Sequence, residues 1–319
     1  KQVQIVACGT SYNAGLVAKY WLEDIAKISC NVEVASEYRY RHPILLNDTL
    51  FITLSQSGET ADTVEALKTA KKINNNISTL CITNSAESSL TRLSDFIFLT
   101  HAGPEIGVAS TKAFTTQLVS LALLTCCIGK IKQAINKKQE RRIVDGLKKL
   151  PGLINKALLQ EPQIKNLAIR FKTKTSVLFL GRGTMHAIAM EGALKLKEIS
   201  YMHAEAFPAG ELKHGPIALI DKDMPVIAIA PNDELLKKLK SNLQEVKSRG
   251  SQMIVFEDEN SKVQEMEAMK VIPITSNLGR ITAPIIFTIA LQLLSYHVAL
   301  IKETNVDKPR NLAKSVTVE

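Results

Sequence analysis

The strongest constraint on the fold is that the second half of this 319-residue sequence repeats the first. Val177-Leu178-Phe179-Leu180-Gly181-Arg182-Gly183, followed by a helical stretch, echoes Ile5-Val6-Ala7-Cys8-Gly9-Thr10-Ser11 and its helix. Asp223-Met224-Pro225-Val226-Ile227-Ala228-Ile229 likewise echoes Asp48-Thr49-Leu50-Phe51-Ile52-Thr53-Leu54. Repetition on this scale implies two tandem copies of one supersecondary unit. Apolar strand candidates at 3–7, 31–35, 49–54, 78–83 and 96–100 alternate with helical or turn sequence in the first copy, and 252–256 and 271–274 continue the second. Strands alternating with helices predict the α/β class, with a parallel sheet covered by helices on both faces. The chain divides into a first unit at 1–135, a lysine-rich helical connector at 136–165 with Pro151 and Pro162 as breaks, a second unit at 166–304, and a tail at 305–319. Pro309 and a shortage of apolar residues predict an irregular surface strap for the tail.

Leu54-Ser55-Gln56-Ser57-Gly58-Glu59-Thr60 joins a buried-type strand to a helix expected over 61–72, whose apolar stripe is Val64, Leu67 and Ile73 with Lys71. A helix start offers unpaired N–H groups and the positive end of a dipole. Ser55, Gln56, Ser57 and Thr60 add neutral donors there, and Gly58 would let the backbone come close to an anion. The pattern suits a phosphate monoester, although the spacing alone serves equally for Ser57 as a helix cap among turn-forming hydroxyls. The second copy has Ala230-Pro231-Asn232-Asp233 at the matching place, where a proline and an acid suit phosphate poorly, so the first copy alone is expected to bind it.

The second copy instead concentrates ionisable groups: Glu191, Lys195, Glu198, His203, Glu205, Glu211, Lys213 and His214. Glu191, Lys195 and Glu198 share one face of a helix that is otherwise apolar almost all round, so these charges require partners or a wet cleft. Spacing does not choose between His203 and His214 as an acid/base, and a loop histidine is ordinarily just solvated. The six histidines show no HxH, HxxxH or HExxH spacing, so no metal site is expected, and no cofactor either. The five cysteines lack CxxC spacing and sit mostly in apolar runs, which fits a reduced, cytoplasmic protein. Net charge is +9, but the basic helices carry few aromatics to stack on bases, so a solvated face is expected rather than a nucleic-acid surface. The apolar run 283–300 is interrupted by Gln292, Ser295 and His297, and is expected to be a buried helix rather than a membrane span. No cleavable signal peptide is seen, and the abrupt start on a strand suggests a fragment.

Six motifs in order carry a resemblance: Cys8-Gly9-Thr10-Ser11, the 55–60 loop, Gly107-Val108-Ala109-Ser110-Thr111-Lys112, Glu191 to Glu198, Gly210-Glu211-Leu212-Lys213-His214-Gly215-Pro216, and the closing stretch 309–319. Together they resemble the isomerase half of the glucosamine-6-phosphate synthase family over essentially the whole chain. That resemblance implies two tandem flavodoxin-like sugar-isomerase (SIS) domains acting on fructose 6-phosphate. It implies that Ser55, Gln56, Ser57 and Thr60, with Ser11, hold the phosphate, and that Thr10, Val108, Ser110 and Ala313 line the sugar, with Cys8 and Gly9 beside the phosphate loop. It further implies a Schiff base between Lys314 and C2, ring opening by His214 from the neighbouring subunit of a homodimer, proton transfer between C1 and C2 by Glu198, and help at the hydroxyls from Lys195. The products would be glucosamine 6-phosphate, with ammonia, or glucose 6-phosphate. The family's full enzyme has an N-terminal glutaminase domain, which this chain, opening at Lys1, is expected to lack. A non-catalytic SIS module that senses a sugar phosphate is the rival expectation; it would need the cradle but not Glu198, His214 and Lys314 together.

Overall fold

The computed structural model describes residues 1–317; Val318 and Glu319, which end the expected tail motif, lie outside the described residues. Its contacts divide the chain into two compact units, Lys1–Ile143 with Ala313–Glu319, and Val144–Leu312.

In the first unit, β1 (Gln2–Ala7), α1 (Gly9–Asp24), β2 (Ser29–Val34), α2 (Ala35–Tyr38), β3 (Thr49–Ser55), α3 (Ala61–Ile73), β4 (Ser78–Thr83), α4 (Ser89–Leu93), β5 (Phe96–Leu99) and α5 (Lys112–Ile131) follow one another. The strands form one sheet in the order β2-β1-β3-β4-β5, every pairing parallel. Helices cover both faces, so β1 and β3 read as continuous apolar runs rather than alternating ones. Val6, Phe51 and Cys81 pack with Ala66, Leu67 and Ala70 of α3 on one side. On the other, Gly15 of α1 is seated against Ile5, Val32 and Leu54, where an added Cβ would come within 2.9 Å of Val32. The buried face of α3 is therefore Thr63, Ala66, Leu67 and Ala70. Leu67 of the expected stripe is buried and Val64 packs against the same cluster, but Ile73, the last residue of α3, is 44% exposed and falls outside the packed face.

Next come α6 (Lys137–Leu158) and α7 (Glu161–Ala168). Pro151 does not break α6 as its position suggested; it is exposed inside the helix, where water can serve the carbonyl left without a donor. Pro162 sits in the first turn of α7, where its missing N–H costs nothing. The second unit continues with β6 (Ser176–Gly181), α8 (Thr184–Ser200), β7 (His203–Pro208), β8 (Val226–Ala230), α9 (Leu236–Lys247), β9 (Met253–Asp258), β10 (Met269–Thr275) and α10 (Thr282–Ile301). Its sheet runs β10-β9-β8-β6-β7, the same order as the first with β6 in the place of β1. The tandem α/β repeat expected from sequence is thus present as two parallel sheets of one topology.

Among the described residues, two helices, α5 and α10, are long and apolar enough to cross a membrane. The apolar surface of α10 is nevertheless taken up inside its unit: Ile285, Ile286, Phe287, Leu291, Leu294 and Val298 are buried, and the helix packs along α8.

Candidate functional site

In a sheet of this order, the carboxyl ends of β1 and β3 flank the point where the strand order reverses, which is where such folds bind ligands. After β1 the chain turns at half-buried Cys8, in extended conformation, and exposed Gly9, at φ +50, into α1. Thr10 is half-buried, and Ser11 is buried with its hydroxyl accepting a hydrogen bond from Gln117 Nε2 at 2.9 Å. Burial pushes the Cys8 thiol above its ordinary value, opposed in part by the Thr63 hydroxyl 3.9 Å from Sγ, so it rests as a thiol and not as a reactive thiolate.

After β3 the hydroxyl loop is tightly braced. Ser55 Oγ accepts from the Gly58 N–H at 3.0 Å and lies 2.9 Å from Thr60 Oγ1, while Ser57 Oγ accepts from the Glu59 N–H at 3.2 Å. Thr60, and not Ser57, is the cap residue of α3, and its side chain makes no cap bond. Gly58 is required by the loop's own packing. Its φ is +71, and a Cβ there would lie 2.1 Å from Ser88 Oγ. Glu59 ties the loop to α4 by accepting from the Ser89 N–H at 2.8 Å and the Ser89 hydroxyl at 2.6 Å.

The tail belongs to this unit from Ala313 onward. Ser315 Oγ lies 3.0 Å from Ser57 Oγ, and the Val316 carbonyl accepts from the Ala61 N–H at 3.0 Å, at the start of α3. Lys314 Nζ donates to Glu105 Oε2 at 2.5 Å and to the Gly107 carbonyl at 2.8 Å. The first unit thus brings the hydroxyl loop, the 107–110 segment and the amine of Lys314 together; Val108 and Ser110 are half-buried, and Ala313 is exposed. Residues 305–317 contain no helix or strand, as a strap would require. Glu105 was not singled out from sequence. The available signal was an acid in an otherwise apolar, glycine-rich segment just before a helix whose cap residue, Thr111, makes no side-chain cap bond.

In the second unit, Lys195 Nζ lies 3.5 Å from Glu191 Oε1 and 2.5 Å from Glu198 Oε2. Glu191 and Lys195 are 1% and 2% exposed, so this is a buried ion triad and not a surface ladder. Burial works against the lysine's charge, but the two carboxylates outweigh it and raise its pKa. Glu198 keeps 21% of its side chain exposed, the one member of the triad that reaches solvent. His214 is exposed at the end of a 3-10 segment, before Gly215 at φ +130. His203, the competing histidine, is exposed on edge strand β7 with Glu205 Oε2 3.9 Å away. Lys213 pairs with Glu245 at 2.9 Å. The ionisable cluster therefore separates into the α8 triad and dispersed surface groups. After β8, Asp233 Oδ1 accepts from the Leu235 N–H at 2.9 Å, so a carboxylate of the chain itself stands where the first unit carries hydroxyls.

The SIS domain family matches residues 1–126 and 171–302. The chain is 58% identical over its whole length to the glutamine–fructose-6-phosphate aminotransferase [isomerizing] of Pseudomonas syringae pv. tomato, and equally to that of Vibrio cholerae, and it covers 52% of each. It therefore spans about half the length of the curated relatives it matches. Among solved structures it is similar to the C-terminal domain of glucosamine-fructose-6-phosphate aminotransferase from Francisella tularensis, with a TM-score of 0.94 and 52% identity over 97% of this chain and 86% of that one. It is also similar to glucosamine-6-phosphate deaminase from Thermotoga maritima, with a TM-score of 0.78 and 26% identity over 99% of this chain and 90% of that one. With two copies of one sheet topology in tandem and the domain signature matched in each, the chain belongs to the SIS domain family.

Proposed function

We propose that the chain is the sugar-phosphate isomerase and aminotransferase part of a glutamine–fructose-6-phosphate aminotransferase. The observation that carries this reading is the seating of Lys314: its amine lies one residue from Ser315, which is hydrogen-bonded to Ser57 of the hydroxyl loop. A phosphate grip and an amine nucleophile built into one unit are what imine chemistry on a phosphorylated ketose requires.

In this reading Ser55, Gln56, Ser57, Thr60 and Ser11 hold the phosphate of fructose 6-phosphate, while Cys8, Gly9, Thr10, Val108, Ser110 and Ala313 line the sugar. His214, acting from the neighbouring subunit of a homodimer, opens the ring. The amine of Lys314 attacks C2; as the N–C bond forms, the carbonyl pair moves to oxygen, and loss of water leaves the imine. Glu198 carries a proton between C1 and C2, with Lys195 holding its carboxylate and assisting at the hydroxyls. The products are glucosamine 6-phosphate when ammonia is supplied and glucose 6-phosphate otherwise. The protein works in the cytoplasm, and the remaining length of the full relatives would supply the glutaminase that delivers ammonia.

The test is reduction with borohydride in the presence of fructose 6-phosphate, followed by peptide mapping. A hexitol phosphate adduct on Lys314 is expected. Bound sugar phosphate with Lys314 left unmodified would sink the imine mechanism.

A further inference from the structure

Glu105 has no part in that scheme, yet its side chain is only 4% exposed and its two oxygens do different work. Oε1 accepts from the Thr111 N–H at 2.9 Å, the Thr111 hydroxyl at 3.3 Å and the Ala113 N–H at 3.1 Å, capping the start of α5, whose cap residue makes no side-chain cap bond. Oε2 is left for the ammonium of Lys314, whose other acceptor is the Gly107 carbonyl. We propose that Glu105 is a positioning residue for the Schiff-base lysine: it docks the Lys314 amine against Gly107, so that the nucleophile is masked in the substrate-free chain. The assignment rests on the function proposed above only in naming Lys314 the nucleophile; the parking itself is a property of the free protein.

The amine is held by two hydrogen bonds, to Glu105 Oε2 and to the Gly107 carbonyl, and the one to the carboxylate is charge-assisted. Glu105 itself is held below the ordinary carboxylate range: burial opposes its charge, but the Lys314 ammonium and the Thr111 and Ala113 N–H groups outweigh that opposition. A carboxylate so placed makes a durable counter-ion. Because its other oxygen is fixed to a helix terminus, it also sets where the amine rests. Adventitious aldehydes and ketones therefore meet a docked amine. The substrate's carbonyl must draw the amine away from Glu105 and Gly107 before the N–C bond can form.

The experiment is reductive methylation of the free full chain with formaldehyde and cyanoborohydride, read per lysine by mass spectrometry and normalised to Lys262 of the second unit. Glu105→Gln removes the charge but keeps an oxygen for the α5 N–H groups; Thr111→Val removes the hydroxyl bond to Oε1 and leaves the Glu105 carboxylate in place. With the carboxylate gone, methylation of Lys314 should rise about tenfold, the order expected when a charge-assisted hydrogen bond that holds the amine in place is lost, and Thr111→Val should leave it within about twofold of the parent. An unchanged or slower rate in Glu105→Gln would overturn the assignment, and so would an equal rise in Thr111→Val, which would reduce Glu105 to a helix cap. Should Glu105→Gln not fold, Glu105→Asp retains the charge but shortens the reach by about 1.5 Å; it should raise the rate about threefold, intermediate between a contacting charge and none, and no rise would again overturn it. No sugar enters this measurement, so its failure is separate from failure of borohydride trapping with fructose 6-phosphate.

Discussion

Lys195 is charged at 2% exposure because Glu191 and Glu198 sit one turn to either side of it on α8. Such a triad gains little over an apolar core when intact, but removing one partner strands the others. Lys195→Met should therefore lose about 3–5 kcal/mol of stability, measured by urea unfolding of the full chain, because two carboxylates lose their common counter-charge in a covered site. A loss under about 1 kcal/mol would mean that the triad behaves as a surface pair. Glu105 makes the matching case for pH. Its folded pKa lies below the unfolded value of about 4.3. Its contribution to stability is then complete above that unfolded value and is lost as pH falls through the folded one. The thermal midpoint of the parent should exceed that of Glu105→Gln at neutral pH, with the gap closing below about pH 4. A gap that stays constant down to pH 2 would show that the charge contributes nothing.

At the scale of elements, α8 and α10 set the second unit's core, and Gly192 is where they approach. A Cβ at Gly192 would meet Leu291 Cδ1 at 2.5 Å and Phe179 at 3.1 Å. Gly192→Ala gains about 1 kcal/mol of helix propensity but forces overpacking that costs about 1–3 kcal/mol. Because Leu291 is 1% exposed and has little room to rotate away, the second effect should win. The expected outcome is a lower urea midpoint with an unchanged slope, and a stabilised variant would refute it. The elements that sequence made legible were those with one strong period: the apolar strands β1, β3, β4, β6, β8 and β9, with β2, β5 and β10, and the long helices. Strand β7 was not recognised, since edge position leaves His203 and Glu205 exposed and removes the continuous apolar run. Pro151 misled for the opposite reason, because an exposed helix face tolerates a defect that a buried one would not.

Across the whole molecule, one strand order appears twice, and the residues proposed for the site lie where the two copies differ. The hydroxyl loop of the first copy and the charged helix of the second were legible because residue types there contradict the bland requirements of a sheet edge or a covered helix. The Lys314–Glu105 pairing was not legible, since it joins positions 209 residues apart. Periodicity gives no information at that separation. The proposed scheme also makes a claim about assembly, that ring opening by His214 comes from a second copy of the chain. It can be decided by mixing two inactive variants, His214→Ala and Lys314→Ala, after unfolding and refolding them together. Residues 313–317 group with the first unit of their own chain, so a mixed dimer would hold one site with Lys314 intact and an intact His214 supplied by the other subunit. Random pairing makes half the dimers mixed, and each has one competent site of two, so about a quarter of the parent's isomerase activity should return. If His214 acts within its own chain, no pairing restores a site and activity stays at background.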